Sequence, residues 1–203
     1  MNDKQLRTII SHYDALIAEN NDPVHDPKPL RDYMDQWDGQ CFIDCMELNK
    51  TKSVLEVGVG TGRLAVRTAP LCSAFVGIDP SPKTIERAGA NLRDYKNVTL
   101  ICDDFLRCPF DRAFDVVYSS LTFMHIENKQ AAIDKAAFLL KNGRFVLSID
   151  KNQDQYIEMP GRKIRIYPDN PRDIKNYIRT AHLNLIRHYE TPFAHIFIAD
   201  KFL

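Results

Sequence analysis

The stretch Val54-Leu55-Glu56-Val57-Gly58-Val59-Gly60-Thr61-Gly62-Arg63 joins an apolar run of strand type to a helix-forming segment, with glycine at every second position of the loop. Glycine lets a backbone approach a ligand where any Cβ would collide. A helix N-terminus behind such a loop aims free N–H groups and partial positive charge at it. The arrangement binds a nucleotide-like molecule at the end of a parallel strand.

The spacing narrows the chemistry. The dinucleotide fingerprint G-x-G-x-x-G admits a pyrophosphate to the helix N-terminus. Here the third glycine comes one residue early, and Glu56 stands two residues before the first. A carboxylate at the strand end repels a pyrophosphate and welcomes an ammonium or a sulfonium. The E-x-G-x-G-T-G pattern resembles motif I of the class I S-adenosylmethionine (SAM) dependent methyltransferases. The resemblance implies that Glu56, Gly58, Gly60 and Gly62 border the methionine part of SAM.

Further segments extend the resemblance from Ser53 to the C-terminus. Asp79 ends the second strand in Gly77-Ile78-Asp79-Pro80-Ser81, where a carboxylate can accept from both hydroxyls of a ribose. Asp103-Asp104-Phe105, with Pro109-Phe110 downstream, resembles the family's G-D-x-x-x-x-P-F stretch. That likeness implies Asp104, or Asp103, at the adenine amino group and Phe105 beside the ring. Phe114 to Ser120 resembles the fourth strand, with Ser119 or Ser120 toward the amino acid part of SAM. Asp115 fits a structural task. Tyr13-Asp14 resembles a Tyr-Asp found before motif I in small-molecule methyltransferases, where the tyrosine closes over the methionine end. Tyr13 equally fits the apolar stripe of its own helix. Arg63 pairs with a carboxylate of SAM or of the protein, or is exposed.

Methyl transfer from a sulfonium is an in-line displacement by an activated reagent, so positioning supplies much of the rate. A general base is needed only when the acceptor carries a proton. His125, after strand 4, is the candidate base, with packing or loop bracing as its other reading; an ordinary imidazole pKa near ~6.5 suits the task. The basic, strand-like Gly161 to Tyr167 could meet an acidic substrate through Arg162, Lys163 or Arg165, or be a solvated face. Tyr156, Met159 and Tyr167 could line an apolar pocket.

These residues need a frame. Leu6, Ile9, Ile10, Tyr13, Leu16 and Ile17 recur at helical spacing between Asp3 and about Ala18. A second helix is expected from about Arg31 to Leu48, with Met34, Trp37, Cys41, Cys45 and Leu48 packed on one face. Strands are expected at Ser53–Val57, Ala74–Ile78, Val98–Cys102, Phe114–Ser119 and Arg144–Ile149. Helices fill the intervals at Leu64–Leu71, Ser81 to about Arg93, and Lys129–Leu140, the last stopped by Asn142-Gly143. A helix from Pro171 to about His182 precedes strands Leu185–Tyr189 and Ala194–Ala199, close enough in sequence to pair antiparallel. The expected fold is α/β, a Rossmann-like doubly wound seven-stranded sheet, mostly parallel with an antiparallel last strand and helices on both faces. The expected organisation is a single domain over 1–203. It comprises an N-terminal helical cap (1–50), a SAM-binding core (51–150), and a substrate loop with C-terminal strands (151–203).

Composition excludes several partners. The 203 residues suit one domain. Acidic and basic residues balance at 27 each, leaving no global field for nucleic acid or an anionic membrane. No apolar run approaches the ~20 residues of a membrane span. The charged N-terminus is not expected to act as a secretory signal. Cys41, Cys45, Cys72, Cys102 and Cys108 form no C-x-x-C pair, and free thiols in a reducing cytoplasm are expected rather than a zinc site. The reading is a cytoplasmic SAM-dependent methyltransferase acting on an O or N atom of a small molecule. The alternatives are a non-catalytic SAM-binding module working through a partner and, less favoured, an NAD(P) oxidoreductase. Acceptor and oligomeric state are beyond the sequence.

Overall fold

The structure is a computed structural model that describes residues 3–202. The apolar runs fold as strands β1 (Ser53–Val57), β2 (Ala74–Asp79), β3 (Val98–Cys102) and β4 (Phe114–Ser120), all parallel. β5 (Leu140–Asp150) joins β4 in parallel. Two further strands, β8 (Asn184–Glu190) and β9 (Ala194–Asp200), follow a small hairpin of β6 (Tyr156–Met159) and β7 (Arg162–Arg165). β9 runs antiparallel to both β5 and β8. The seven-stranded order is β3-β2-β1-β4-β5-β9-β8, and the sheet is mostly parallel with a reversed last strand, as expected from the sequence. Chain order reverses between β1 and β4, and a sheet of this kind opens a crevice at the carboxyl ends of the strands there.

Strand alternation divides the core into two layers. Leu55, Val57, Ile78, Val117 and Leu147 pack with Ala132, Ile133, Ile174 and Ile178 on one face. Val54, Val116, Tyr118 and Val146 pack with Phe42, Met46, Leu64 and Leu92 on the other. Each such side chain, fully buried, contributes roughly 1.5–3 kcal/mol by leaving water.

The helices begin where their caps dictate. Ser81 Oγ accepts from the Thr84 N–H at 3.2 Å to start α5 (Pro82–Asn91), numbered after four earlier helices. Asn128 and Asn170 cap α6 (Lys129–Leu139) and α7 (Pro171–Thr180) in the same way. The first helix, α1 (Asp3–Ala18), spans its expected range. The second expected helix divides into α2 (Lys28–Met34) and α3 (Gly39–Asp44). Pro29 lies in the first turn of α2, a position that suits proline because its missing N–H is unpaired there in any case. The division falls at Gly39, whose φ is +68°, with Asp38 accepting from its N–H at 2.6 Å. Trp37, Cys45 and Leu48 of the expected stripe pack against the core beside the fully buried Phe42, Ile43 and Met46, whereas Cys41 is exposed. The helix after β1 is shorter than expected: α4 (Ala65–Thr68) passes into a 3-10 turn at Ala69–Leu71.

Asn142-Gly143 is not a helix stop. α6 ends at Leu139 and β5 starts at once, with a register shift opposite Phe114 and Val116. A Cβ at Gly143 would lie 2.3 Å from the Asp115 carbonyl oxygen, so strand proximity selects this glycine. Asp115 has the structural task expected of it, accepting from Ser53 N–H at 2.7 Å and Ser53 Oγ at 2.6 Å.

Candidate functional site

A cavity of about 280 Å³ opens at the carboxyl ends of β1, β2 and β4. Of the residues selected from sequence, Tyr13, Glu56, Gly58, Gly60, Arg63, Asp79, Asp103, Asp104, Phe105 and His125 line it. Gly62 and Ser119 are not among its lining residues. A Cβ at Gly62 would meet Leu92 at 3.2 Å, which places this glycine in packing against α5. The Ser119 hydroxyl donates to the Val57 carbonyl at 2.8 Å, whereas its neighbour Ser120 faces the cavity.

The motif glycines differ in what they touch. At Gly58, φ +78°, a Cβ would lie 1.9 Å from Thr122 Oγ1, so this residue lets the β1 loop meet the loop after β4. At Gly60, φ +55°, a Cβ would meet nothing within 4 Å. Gly60 therefore supplies open approach on the cavity side, and Gly58 supplies close approach between two protein segments.

The cavity wall carries buried acids. Asp79 accepts from Gly60 N–H at 3.2 Å and Ser81 N–H at 3.0 Å, which fixes its carboxylate under the loop. Burial raises its pKa to about 6 against those hydrogen bonds. Asp104 accepts from Leu106 N–H at 2.7 Å, Asp103 accepts from Asp104 N–H at 2.7 Å, and Phe105 is buried beside them. Glu56 is 3% exposed and accepts from Tyr118 Oη at 2.8 Å. Burial pushes its pKa to about 8, opposed by the Tyr118 hydrogen bond and by Arg63. Its carboxyl thus holds a proton at neutral pH, and a cation beside it would draw out the charged form.

Arg63 grips a carboxylate of the protein. Its Nη1 donates to Asp38 Oδ1 at 3.0 Å and its Nη2 donates to Oδ2. Ser120 Oγ donates to the same carboxylate at 2.7 Å. Asp38 carried no sequence signal, since it lies 25 residues before Arg63 and outside any motif. Asp38 is buried while the Arg63 side chain keeps 16% exposure, and removing one partner of a buried pair costs about 3–5 kcal/mol, less where one side reaches water.

The opposite wall comes from α1 and from a 3-10 turn at Phe123–His125. Ile9, Tyr13, Leu16 and Ile17 line the cavity, so the apolar stripe of α1 is largely a cavity wall. Asp14 docks the helix: it accepts from Ser81 Oγ at 2.7 Å and from Lys83 N–H at 3.2 Å at the start of α5. Tyr13 Oη and His125 Nε2 are hydrogen-bonded at 2.7 Å, the donor set by the imidazole tautomer. Among the described residues His125 Nδ1 has no partner. Burial, then the nearby His12 and Lys129, lowers the His125 pKa to about 4, so the ring is neutral near pH 7. Burial also raises the Tyr13 phenol above its usual range.

Lys129 braces this turn by donating to the carbonyls of Phe123, Ile126 and Tyr167 at 2.8, 3.1 and 2.9 Å, while paired with Asp169 at 2.9 Å. Leu121, at φ +55°, holds a strained turn before it. Neither Lys129 nor Leu121 had a sequence signal, because both act through contacts distant in the chain. Tyr156, Met159 and Tyr167 do not line this cavity. Nor do the basic residues of the hairpin: Arg162 pairs with Glu19 at 2.8 Å, Lys163 pairs with Glu158 at 2.5 Å, and the Arg165 guanidinium sits 5.2 Å from the Tyr167 ring centre.

Among the described residues no helix is long and apolar enough to cross a membrane. Residues 54–143 match the methyltransferase domain family. An uncharacterized methyltransferase of Anoxybacillus flavithermus is 31% identical over 134 residues, covering 63% of this chain and 62% of that protein. The chain thus spans less than two thirds of the curated relatives it matches first. The DhpI–SAH complex superposes with a TM-score of 0.79 at 17% identity, covering 98% of each chain. A 1,6-didemethyltoxoflavin-N1-methyltransferase of Burkholderia thailandensis, bound to 1,6-didemethyltoxoflavin and S-adenosylhomocysteine, superposes at 0.72 with 14% identity, covering 96% of this chain and 88% of that one. At such identities the likeness is one of fold. The acidic strand end, the early third glycine, the sheet order with its reversed β9 and the methyltransferase-domain match over residues 54–143 together support a class I S-adenosylmethionine-dependent methyltransferase.

Proposed function

We propose that the protein transfers a methyl group from SAM to an O or N atom of a small molecule. The observation that carries this reading is one cavity with two unlike walls. One wall holds Glu56, Asp79 and Asp104 around the open Gly60 position, and the other holds the Tyr13–His125 pair. SAM, when bound, supplies a methyl group already activated by a sulfonium. Asp79 would accept from the ribose hydroxyls, Asp104 or Asp103 would accept from the adenine amino group, and Phe105 would cover the ring. Glu56 would lose its proton beside the ammonium. Arg63 acts through Asp38 and Ser120, shaping the floor. The cap (1–50), core (51–150) and tail (151–203) are read as one domain, because α1 closes a cavity whose base is the sheet and the tail's β8 and β9 complete that sheet.

His125 would accept the acceptor's proton at a ring nitrogen, with Tyr13 fixing the imidazole. The test is incubation with radiolabelled SAM and a metabolite pool, preceded by thermal shifts with SAM, S-adenosylhomocysteine and NAD. Transfer of label to a small molecule is expected. Stabilisation by NAD alone would refute the reading. Balanced charge supports a small acceptor over nucleic acid, and five free cysteines support a cytoplasmic setting. A second reading, a SAM-binding module without turnover, draws on the low His125 pKa, since a base near 4 has little driving force at pH 7. It predicts SAM binding with no label leaving the cofactor in any pool.

A further inference from the structure

A second cleft, of about 440 Å³, lies on the far side of α1, between that helix and the β6–β7 hairpin. It is lined by the cations Lys4, Arg7, Arg162 and Lys163, with Ser11 between them, and no carboxylate lines it. Positions 4, 7, 8, 11 and 12 form one face of α1, while positions 9, 13, 16 and 17 face the first cavity. The two clefts therefore share a helix and use opposite sides of it.

Two buried atoms at this cleft lack partners among the described residues. His12 is 5% exposed and its Nδ1 makes no hydrogen bond. Arg162 Nη1 is likewise buried and unpartnered, although Nη2 of the same guanidinium donates to Glu19. A buried polar group without a partner costs about 1–3 kcal/mol, more when charged, so native folds rarely retain one without a reason. A guanidinium with a spare edge, two exposed cations and a hydroxyl match a tetrahedral oxoanion, which accepts several charge-assisted hydrogen bonds at once.

We propose that this cleft binds a phosphoryl group, either free phosphate or the phosphate of a monoester. The anion takes the free edge of Arg162 from the hairpin and the charges of Lys4 and Arg7 from α1, and so bridges the two elements. The neutralising contacts already present, Glu19 on Arg162 and Glu158 on Lys163, leave Lys4 and Arg7 as the lining cations that form no ion pair among the described residues, with the Asp3 carboxylate acting on Arg7 from outside the cleft. The volume exceeds what one tetrahedral ion fills, which favours the monoester.

The test is a titration at constant ionic strength, with inorganic phosphate in one arm and glycerol 3-phosphate in the other, followed through the His12 ring resonances. Saturable shifts are expected. Phosphate and ester saturating alike would identify free phosphate, and tighter binding of the ester would identify a monoester. The double substitution Lys4→Gln/Arg7→Gln removes only exposed side chains, and should weaken binding at least about tenfold, the scale of one lost charge-assisted contact. Arg162→Gln should weaken it as much. Arg112→Gln, outside the cleft, should leave it unchanged. Absence of saturation in both arms, undiminished affinity in the double variant, or equal weakening by Arg112→Gln would overturn the assignment. None of these readouts depends on methyl transfer.

Discussion

The two walls of the first cavity are built differently. The wall from β1, β2 and the loop after β3 is local: its acids and glycines sit at fixed offsets from strand ends and are held mainly by short-range backbone hydrogen bonds. The wall from α1 and the Phe123–His125 turn is assembled from segments 112 residues apart, joined at Tyr13 and His125. A wall of the first kind suits an invariant ligand. A wall of the second kind can be altered by shifting one helix, as a varied acceptor requires. On the proposed function, the contrast teaches that a cofactor site is written in strand ends while an acceptor site is written in packing.

The comparison can be broken most directly at Asp79. Asp79→Ala should weaken SAM by about 10–100-fold, the loss of two hydrogen bonds to a charged group, with the fold intact. Calorimetry showing unchanged affinity would remove this wall's cofactor role. The seam between the walls comes next. Gly58→Ala places a Cβ against Thr122 in a left-handed conformation and should cost about 2–4 kcal/mol in urea unfolding. Gly60→Ala has room for its Cβ, so it should cost only about 1 kcal/mol of stability while still reducing SAM affinity. Equal stability losses at the two glycines would contradict the division of labour between them.

On the acceptor wall, Tyr13→Phe should lower turnover about tenfold, within the range of proton-transfer catalysis, and leave SAM affinity within about twofold. A parallel loss of SAM affinity would move Tyr13 to the cofactor wall.

The smallest expected effect is a pH slope. Glu56 has a folded pKa of about 8 against an ordinary 4.5. Folding therefore takes up protons there. Its contribution is full below the ordinary value and is lost as pH rises through about 8. Asp79, raised from 3.8 to about 6, acts in the same sense over a lower window. Glu56→Gln should flatten the decline in stability between pH 6 and 8 that thermal unfolding reads at stepped pH. It should also remove the rise of SAM affinity with pH, which in the unsubstituted protein approaches roughly tenfold per unit below the free-state pKa. An unaltered slope would place the charge change elsewhere.

Much of this molecule was legible from its residues. The apolar runs gave five parallel strands, Ser81-Pro82 marked a helix start, and the short link before Ala194 marked the reversed strand. These signals are local, because backbone geometry, caps and side-chain alternation act over a few residues. The expected helix over Arg31–Leu48 failed at Asp38-Gly39, where a tertiary contact with Arg63 outweighs helical periodicity. Asn142-Gly143 misled because a glycine chosen for strand contact looks the same in sequence as one chosen for a helix end.

The sequence by itself determined the strands, the reversal of the last one and the acids at the strand ends, since each follows from patterns no longer than an element and its flanking loops. Only the tertiary structure decided that Arg63 is committed to Asp38, that Ser120 rather than Ser119 faces the cavity, and that His125 meets Tyr13. It also decided the charge states of Glu56 and His125. These depend on desolvation and on neighbours far along the chain, and water exclusion is a property of the packed molecule rather than of any segment.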